Sequence, residues 1–462
     1  MQPSNSTKLP LVFYGDDFTG STDALEVLTA AGLKCALFLV PPTPELLAEM
    51  GGFDAIGIAG DSRALSNAEM DEVLPDIFQA IKRLSPSLVH YKVCSTFDSA
   101  PSAGSIGHVI GLATRTFGGA GVPIVAGNPA LGRYCLFGNL YALSKTDHTV
   151  HRIDRHPVMR AHPITPMHEA DLSVHIGLQK KLSIAKIDFL QLEEASDLTA
   201  LVREVSARHD AVLFDGATQA HMTSAGRVLT ELSASEAPVF VVGSSGVEYG
   251  LTQHWHSSGL VATRRSQVAP LRAADQVLVI SGSASPLSRA QIETAIEHGF
   301  VEMAVDAAAL IADSHRSTTL REVVAEATSH LKEGRSVIVH TAKGPDDSRI
   351  EQMIEAMLGK GLPRDEARVR GGKQLAIELG HVVLEILKNH PLKRLVVSGG
   401  DTSSQITKIL APDALVIKSD ISPGAPLCEL LSKKPYLADL EVALKGGQMG
   451  NRDYFVKALR GQ

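Results

Sequence analysis

Along this chain a short apolar run rich in β-branched residues ends in small polar ones and gives way to a stretch with apolar residues three and four apart. "LVFYGDD" (11–17), "CALFLV" (35–40), "DAIGIAGDSR" (54–63), "LVHYKVCST" (88–96) and "VPIVAGNPA" (122–130) are runs of the first kind. "AVLFDGATQ" (211–219), "VFVVGSSG" (239–246), "QVLVISGSAS" (276–285), "SVIVHTAKG" (336–344), "RLVVSGGDTSS" (394–404) and "ALVIKSD" (414–420) follow. Between them lie "MDEVLPDIFQAIKRL" (70–84), "SRAQIETAIEHG" (288–299) and "KQLAIELGHVVLEILK" (373–388), whose spacing predicts amphipathic helices. Strands of nearly continuous apolar character, alternating with helices, predict parallel sheets covered on both faces.

The expected fold class is therefore α/β, with two domains, each a mostly parallel sheet flanked by helices. At 462 residues the chain exceeds one ordinary core. The polar, weakly periodic stretch "SSGLVATRRSQVAPLRAADQ" (257–276) reads as the linker, giving domains over 1–255 and 275–462. One segment breaks the rhythm: 151–172, rich in His and Pro, without apolar periodicity. Its histidine spacing fits neither a helical metal site nor a zinc finger, so it reads as a long, proline-stiffened loop at a domain edge.

Composition narrows the classes. Hydrophobic residues make up 44% and charged ones 21%, the balance of a soluble globular protein. The net charge of −7 and the absence of any basic run argue against a nucleic-acid partner. Cys35, Cys94, Cys135 and Cys428 form no CxxC and fit a reduced compartment. The first residues lack a signal-peptide pattern, and no apolar run reaches the roughly 18 residues a membrane span needs. The expectation is a cytoplasmic protein with no membrane partner; a second copy of the chain, as a homo-oligomer, is kept as a candidate partner.

In open parallel sheets ligands collect beyond the carboxyl ends of the strands, where the small polar tails lie. In the N-terminal half these tails carry Asp16 and Asp17, Asp61 and Arg63, Lys92 through Asp98, and Asn128 with Arg133. Each alone has a bland reading as a cap, an ion pair or a turn residue. Together they are carboxylates that grip sugar hydroxyls and cations that grip a carboxylate, the set a small polyhydroxy acid requires. Asp23, which follows the Gly/Ser/Thr turn at 20–22, reads as a first-turn partner of the helix dipole.

The C-terminal half differs. Ser281, Gly282, Ser283 and Ser285 stand between a strand and a helix, as do Gly399, Gly400, Asp401, Thr402 and Ser403, and Gly446, Gly447 and Gly450 lie near the end. Glycines let a backbone approach phosphate, and N–H groups at a helix start point at the anion. No GxxxxGK[ST] occurs and no GxGxxG opens the chain, so neither a P-loop nor a standard dinucleotide fold is supported. Tight turns between strand and helix are the competing reading of these glycines.

"GDDFTGSTDA", "KVCSTFDS", "HPITPM", "SGSAS", "SGGDTSS" and "KGGQMG", in that order, resemble the four-carbon acid sugar kinase family, which includes 3-oxo-tetronate and D-threonate kinases. The resemblance spans about residues 10 to 456. It implies an N-terminal acid-sugar domain, a C-terminal ATP domain and phosphorylation of the terminal hydroxyl of a four-carbon sugar acid, with ATP and Mg²⁺. The family's DDxTG motif falls on Asp16, Asp17, Thr19 and Gly20, with Asp17 or Asp16 serving the acceptor hydroxyl. The substrate segment falls on Lys92, Ser95, Thr96 and Asp98, and Arg63 is similar to the arginine that would hold the substrate carboxylate. The nucleotide side matches Ser281, Ser283, Gly399, Gly400, Asp401, Thr402, Gly446 and Gly447, with Asp401 as the metal candidate.

Two departures bear on the substrate. "CSTFDS" is similar to the 3-oxo-tetronate branch rather than to "DSTLRG" of D-threonate kinases, but "STFDSAPSAGSIG" has extra residues, which points to a related acid such as branched 3-oxo-isoapionate. Met449 stands where relatives often carry an aromatic residue. Against the 3-oxo-tetronate-type kinase stand a D-threonate or D-erythronate kinase, a non-enzymatic two-lobed sugar-acid-binding protein, and a dehydrogenase, which lacks its glycine fingerprint.

Overall fold

The computed structural model describes residues 9–119, 121–144, 147–162, 165–261 and 268–461. It divides into two compact units, Met1–Gln267 and Val268–Gln462. The division falls inside the polar stretch 257–276, of which 262–267 lie outside the described residues.

In the first unit the apolar runs are strands β1 (Leu11–Gly15), β2 (Cys35–Phe38), β3 (Ala55–Ala59), β4 (Leu88–Lys92) and β5 (Val122–Val125). A small antiparallel sheet follows, β6 (Arg133–Leu136), β7 (Asn139–Leu143) and β8 (Val150–Arg152). Then come β9 (Ile184–Ile187), β10 (Ala211–Phe214) and β11 (Val239–Gly243). The main sheet runs β2-β3-β1-β4-β11-β5-β10-β9, parallel throughout. Every residue of β1, β3 and β4 is buried, which is why these strands read as continuous apolar runs rather than alternating ones.

The helix Asn67–Arg83 shows how the faces are covered. Ser66 and Glu69 close a capping box at its start, and Met70, Leu74, Phe78 and Ile81 form the buried stripe at helical spacing. Phe78 packs on Phe240 of β11 with ring centroids 5.7 Å apart. Fully burying a side chain of this kind contributes about 1.5–3 kcal/mol.

The His/Pro segment is not the long loop expected. Its start pairs as β8, and the 3₁₀ turns Ile153–Arg155 and Met159–Ala161 continue it. His156 Nδ1 accepts from the Val158 and Met159 N–H groups, so this histidine locks a turn. No cluster of His, Cys, Asp or Glu among the described residues could hold a metal ion.

The second unit contains β12 (Leu278–Ser281), β13 (Val301–Ala304), β14 (Val337–His340), β15 (Arg394–Ser398), β16 (Ala414–Ser422), β17 (Ala425–Leu431) and β18 (Glu441–Lys445). Their order is β13-β14-β12-β15-β18-β17-β16, with β17 antiparallel to both neighbours. Strand β17 has no counterpart among the apolar runs of the sequence: "APLCELL" follows β16 after a two-residue turn and carries Pro426 and Glu429 within it. No helix among the described residues is long and apolar enough to cross a membrane.

Candidate functional site

Three strand ends of the first unit stand side by side. Gly15 at the end of β1 is in register with Ala59 of β3 and with Lys92 of β4. The chain therefore delivers Asp16, Asp17, the 61–63 turn and Lys92 to one rim. The Asp16 N–H donates to the Lys92 carbonyl (2.9 Å) and the Arg63 N–H to the Asp16 carbonyl (3.0 Å), so the backbone itself ties the three segments together.

Arg63 closes the cluster. Its Nη2 donates to Asp16 Oδ1 at 2.7 Å and to Asp17 Oδ1 at 2.8 Å, and its Nε to Asp16 Oδ2 at 3.1 Å. The arginine expected to hold a substrate carboxylate is thus engaged, on its Nε–Nη2 edge, by the paired aspartates; its Nη1 is the guanidinium nitrogen without a hydrogen bond to a described residue. Burial pushes the Asp16 carboxyl above its ordinary range, Arg63 opposes, and the Asp17 charge adds to the rise. Asp17 is a helix cap and an ion-pair partner at once. Its side chain caps the helix Phe18–Ala30 by accepting from the Gly20 N–H at 2.9 Å, and it shares the guanidinium. Asp17 is the more open carboxylate, with a side chain 30% exposed against 6% for Asp16.

Asp23 has to be corrected. The cap is Asp17, so Asp23 lies in the second turn of the helix, not the first, and the first turn holds no acidic residue. It faces Lys92, with Oδ2 3.8 Å from Nζ. Burial raises the Asp23 carboxyl against the pull of Lys92. Burial also works against the Lys92 ammonium, but Asp23, Asp17 and Asp16 outweigh it and its pKa lies above the ordinary lysine value. A Cβ on Gly20 would come within 2.5 Å of Lys92 Nζ, so the glycine of the DDxTG motif makes room for this ammonium.

The turn after β4 adds the remaining substrate candidates. Thr96 Oγ1 donates to Asp98 Oδ1 at 2.5 Å, and Thr165 Oγ1 donates to Asp98 Oδ2 at 3.3 Å. Burial would raise the Asp98 carboxyl, but the Arg63 charge and the Thr96 hydroxyl hold it below the ordinary carboxylate range. Ser95 is half-buried on the same turn. Thr165 also meets His162 Nδ1 at 3.0 Å, so the "HPITPM" motif reaches this rim; its residues 163 and 164 lie outside the described residues. Asn128 is wholly buried, donates to Ser245 Oγ and leaves its Oδ1 without a partner. Arg133 instead bonds the carbonyls of Leu131, Gly132 and Leu143, a structural use. One layer below, His90 Nδ1 lies 2.6 Å from Glu248 Oε1, and both side chains are buried. Nothing in the sequence paired Asp23 with Lys92, Thr165 with Asp98 or His90 with Glu248, because the two partners of each pair lie far apart along the chain.

In the second unit the glycine turns also converge. Gly399, at φ +121, caps the helix Gly400–Leu410, a backbone angle an L side chain rarely adopts. Gly282 packs against the Thr402 side chain and Gly447 against the Ser283 hydroxyl. Ser285 caps the helix Pro286–Glu297 and donates to the Gly447 carbonyl at 2.6 Å. So Ser281, Ser283, Gly399 to Thr402, Gly446 and Gly447 sit on adjoining strand ends. Asp401 is exposed in the first turn of its helix. A cavity of about 350 Å³ opens beside Gly282 and Thr402 and is lined by Ala284, Ala342, Met353, Leu375 and Ala376, with Arg349 and Arg368 at its edge. Met449 is not there; it packs against the core beneath Tyr454.

Comparison with known proteins fits both halves. A family model described as a sugar-binding N-terminal domain matches residues 11–251, and one described as a nucleotide-binding C-terminal domain matches 278–455. The chain belongs to the four-carbon acid sugar kinase family. It is 40% identical to a protein of Paraburkholderia graminis named 3-oxo-isoapionate kinase, over 98% of this chain and 96% of that one. It is 26% identical to a 3-oxo-tetronate kinase of Pseudomonas fluorescens, over 96% and 95%. Solved structures from Salmonella typhimurium and Haemophilus influenzae share the family's fold, with TM-scores of 0.74 and 0.71 at 23% and 22% identity. The first covers 98% of this chain and 99% of its own, the second 97% and 98%.

Proposed function

We propose that this protein is an ATP-dependent, cytoplasmic sugar-acid kinase acting on a branched 3-oxo acid of the 3-oxo-isoapionate type. The observation that carries the reading is the Asp16–Asp17–Arg63–Lys92 cluster on the rim of the first unit, in a chain 40% identical to a kinase named for that acid. A 3-oxo-tetronate is the second reading, favoured by the relatives at 24–27% identity that bear that name.

The residues divide the work as follows. Lys92 and Arg63 Nη1 supply positive charge for the acid's carboxylate, and the Thr96–Asp98 turn supplies polar groups for its hydroxyl and oxo oxygens. Asp17 is the base. Its Oδ1 is held by the Gly20 N–H and by Arg63, which leaves Oδ2 as the oxygen for the acceptor hydroxyl. As the hydroxyl oxygen bonds to the γ-phosphorus, its proton passes to Asp17, the bond from that phosphorus to the bridging oxygen breaks, and ADP leaves with the electron pair. Asp16, buried and gripped on both oxygens, positions Arg63. Phosphoryl transfer is mostly positioning and charge stabilisation, and a carboxylate base of this kind contributes about 10²–10⁴-fold.

On the donor side the glycine turns carry the phosphates and the aliphatic cavity beside Gly282 holds the base between methyl and methionine groups. Mg²⁺ neutralises phosphate charge when bound, and it is held by one or two carboxylates plus phosphate oxygens rather than by a protein cage. Asp401, a single exposed carboxylate in the first turn of its helix, fits that habit and would hold the ion. ADP release from Mg-ATP, measured with 3-oxo-isoapionate, 3-oxo-tetronate, D-threonate and D-erythronate, tests the reading. A preference for the branched acid supports it, and release independent of any acid contradicts it.

A further inference from the structure

Three adjacent strands of the second unit end alike, in a polar residue followed by glycine: Ser281–Gly282 on β12, Ser398–Gly399 on β15 and Lys445–Gly446 on β18. The ladders put Ser281 opposite Ser398 and Ser398 opposite Lys445. In parallel strands residues in register point to the same face, so the three side chains form one row with about 4.8 Å between neighbours. The helix Pro286–Glu297 begins over this row, with Ser288 Oγ 3.2 Å from Ser398 Oγ.

Lys445 is out of place in such a row. Its side chain is wholly buried, and among the described residues no carboxylate lies within ion-pair distance of it. Its ammonium donates to Ser398 Oγ at 2.8 Å and otherwise lies 5.9 and 5.8 Å from the ring centres of Tyr454 and Phe455. Two ring faces and one hydroxyl are thin compensation for a desolvated cation. Two helix starts, at Pro286 and Gly400, add partial positive charge at the same strand ends. Ser281 Oγ at the end of β12 and Ser403 Oγ in the first turn of the helix Gly400–Leu410 are buried without a hydrogen-bond partner. Buried donors and a buried cation without a counter-charge are the groups an anion site requires.

We infer that Lys445 is the protein's own cation for the phosphate groups of the bound nucleotide, and that it takes up a proton from solvent as they arrive. This rests on the kinase reading above and goes beyond it by assigning a residue and a linked proton. Burial alone lowers the Lys445 ammonium to about 7, so near neutrality a substantial fraction is neutral amine before nucleotide binds. Of the charged groups on the elements around it, Arg394 pairs with Glu441, Glu429 of the neighbouring strand with Lys418, Arg289 with Asp346 and Lys457 with Asp453, and Asp401 is exposed; the titratable group facing the ammonium is Tyr454. That phenol donates to the Ala425 carbonyl. No charged neighbour opposes or supports the ammonium, so the phosphates are the counter-charge it meets. The balance is simple: the amine gains one proton, the buffer loses one, and no bond in the nucleotide changes.

The experiment is calorimetric titration of the full chain with ADP at pH 8, in buffers of differing ionisation enthalpy. The wild type is expected to take up close to one proton per ADP bound. Lys445→Met is expected to bind ADP about tenfold more weakly or worse, with the uptake abolished. ADP binding by the wild type without proton uptake overturns the inference and leaves the kinase reading standing, as does uptake that persists in Lys445→Met. If that variant does not fold, Lys445→Arg replaces it, since a guanidinium is always charged and must bind without uptake. No ADP binding by the wild type overturns both.

Discussion

Arg63 holds Asp16 with a two-point grip, Nη2 to Oδ1 at 2.7 Å and Nε to Oδ2 at 3.1 Å, and extends the same Nη2 to Asp17. Planar donors meet planar acceptors here, which a lysine ammonium cannot reproduce. Arg63→Lys is expected to lower kcat/KM by about 100-fold while the protein stays folded, because charge is kept and geometry is lost. Arg63→Ala leaves Asp16 buried without its counter-ion. Its carboxyl, already raised by burial, then rises further above the unfolded value. A carboxyl so raised keeps its stability below the unfolded pKa and loses it as pH climbs through the folded pKa. The variant should therefore be destabilised least at acid pH and most above neutrality, which urea melts at pH 5 and pH 8 would show.

Asp17→Asn separates cap from base. Asparagine caps a helix about as well as aspartate, so the melting temperature should move little. Turnover should fall by about 100-fold or more, since the amide cannot take the acceptor's proton. Equal losses in melting and in rate would show that Asp17 is a cap alone.

Asp23→Asn removes one of three carboxylates that hold Lys92 charged. KM for the acid should rise more than kcat falls, because Lys92 binds substrate rather than moving the proton. A fall confined to kcat would place Lys92 elsewhere in the reaction.

Asp23 also shows where the sequence stops being informative. The apolar runs and their polar tails made the two sheets and their carboxyl rims legible, because strands buried on both faces have no polar alternation to hide them. Asp16, Asp17 and Lys92 were legible for the same reason: each stands at or just after a strand end. Asp23 was misread because the Gly, Ser and Thr at 20–22 look like the turn before the helix, whereas the helix already begins at Phe18. Thr165 reaches Asp98 across 67 positions, and the Ser281–Ser398–Lys445 row depends on register between strands far apart in the chain. Long-range register carries no local periodicity, so no pattern along the chain announces it. The β16–β17 hairpin escaped because Pro426 and Glu429 interrupt the apolar run of its second strand.

The cavity beside Gly282 can be tested by filling it. Gly372 lines it on a helix, and a Cβ there meets nothing within 4 Å. Gly372→Leu should leave stability unchanged or improved, since leucine is the better helix former by a few tenths of a kcal/mol or more. KM for ATP should rise about tenfold or more while the acid's KM is unchanged. Unchanged ATP kinetics would move the base to another part of the unit.

Lys445 gives a pH signature of its own in the absence of nucleotide. Its folded pKa, about 7, is depressed below the unfolded lysine value. Between the two, the unfolded chain binds the extra proton, so stability rises with pH over that window and is flat below it. Lys445→Met should therefore be more stable than the wild type by a margin largest below pH 7 and shrinking as pH approaches 10. Denaturant melts of both proteins at pH 6.5 and pH 9.5 would measure it.

The most direct test of the account is ADP release from Mg-ATP by the wild type and Asp17→Asn, with 3-oxo-isoapionate beside the straight-chain acids. The account expects acid-dependent release, fastest with the branched 3-oxo acid, and its loss by about 100-fold or more in Asp17→Asn. Release that is the same with and without acid, or that survives the substitution, would contradict it.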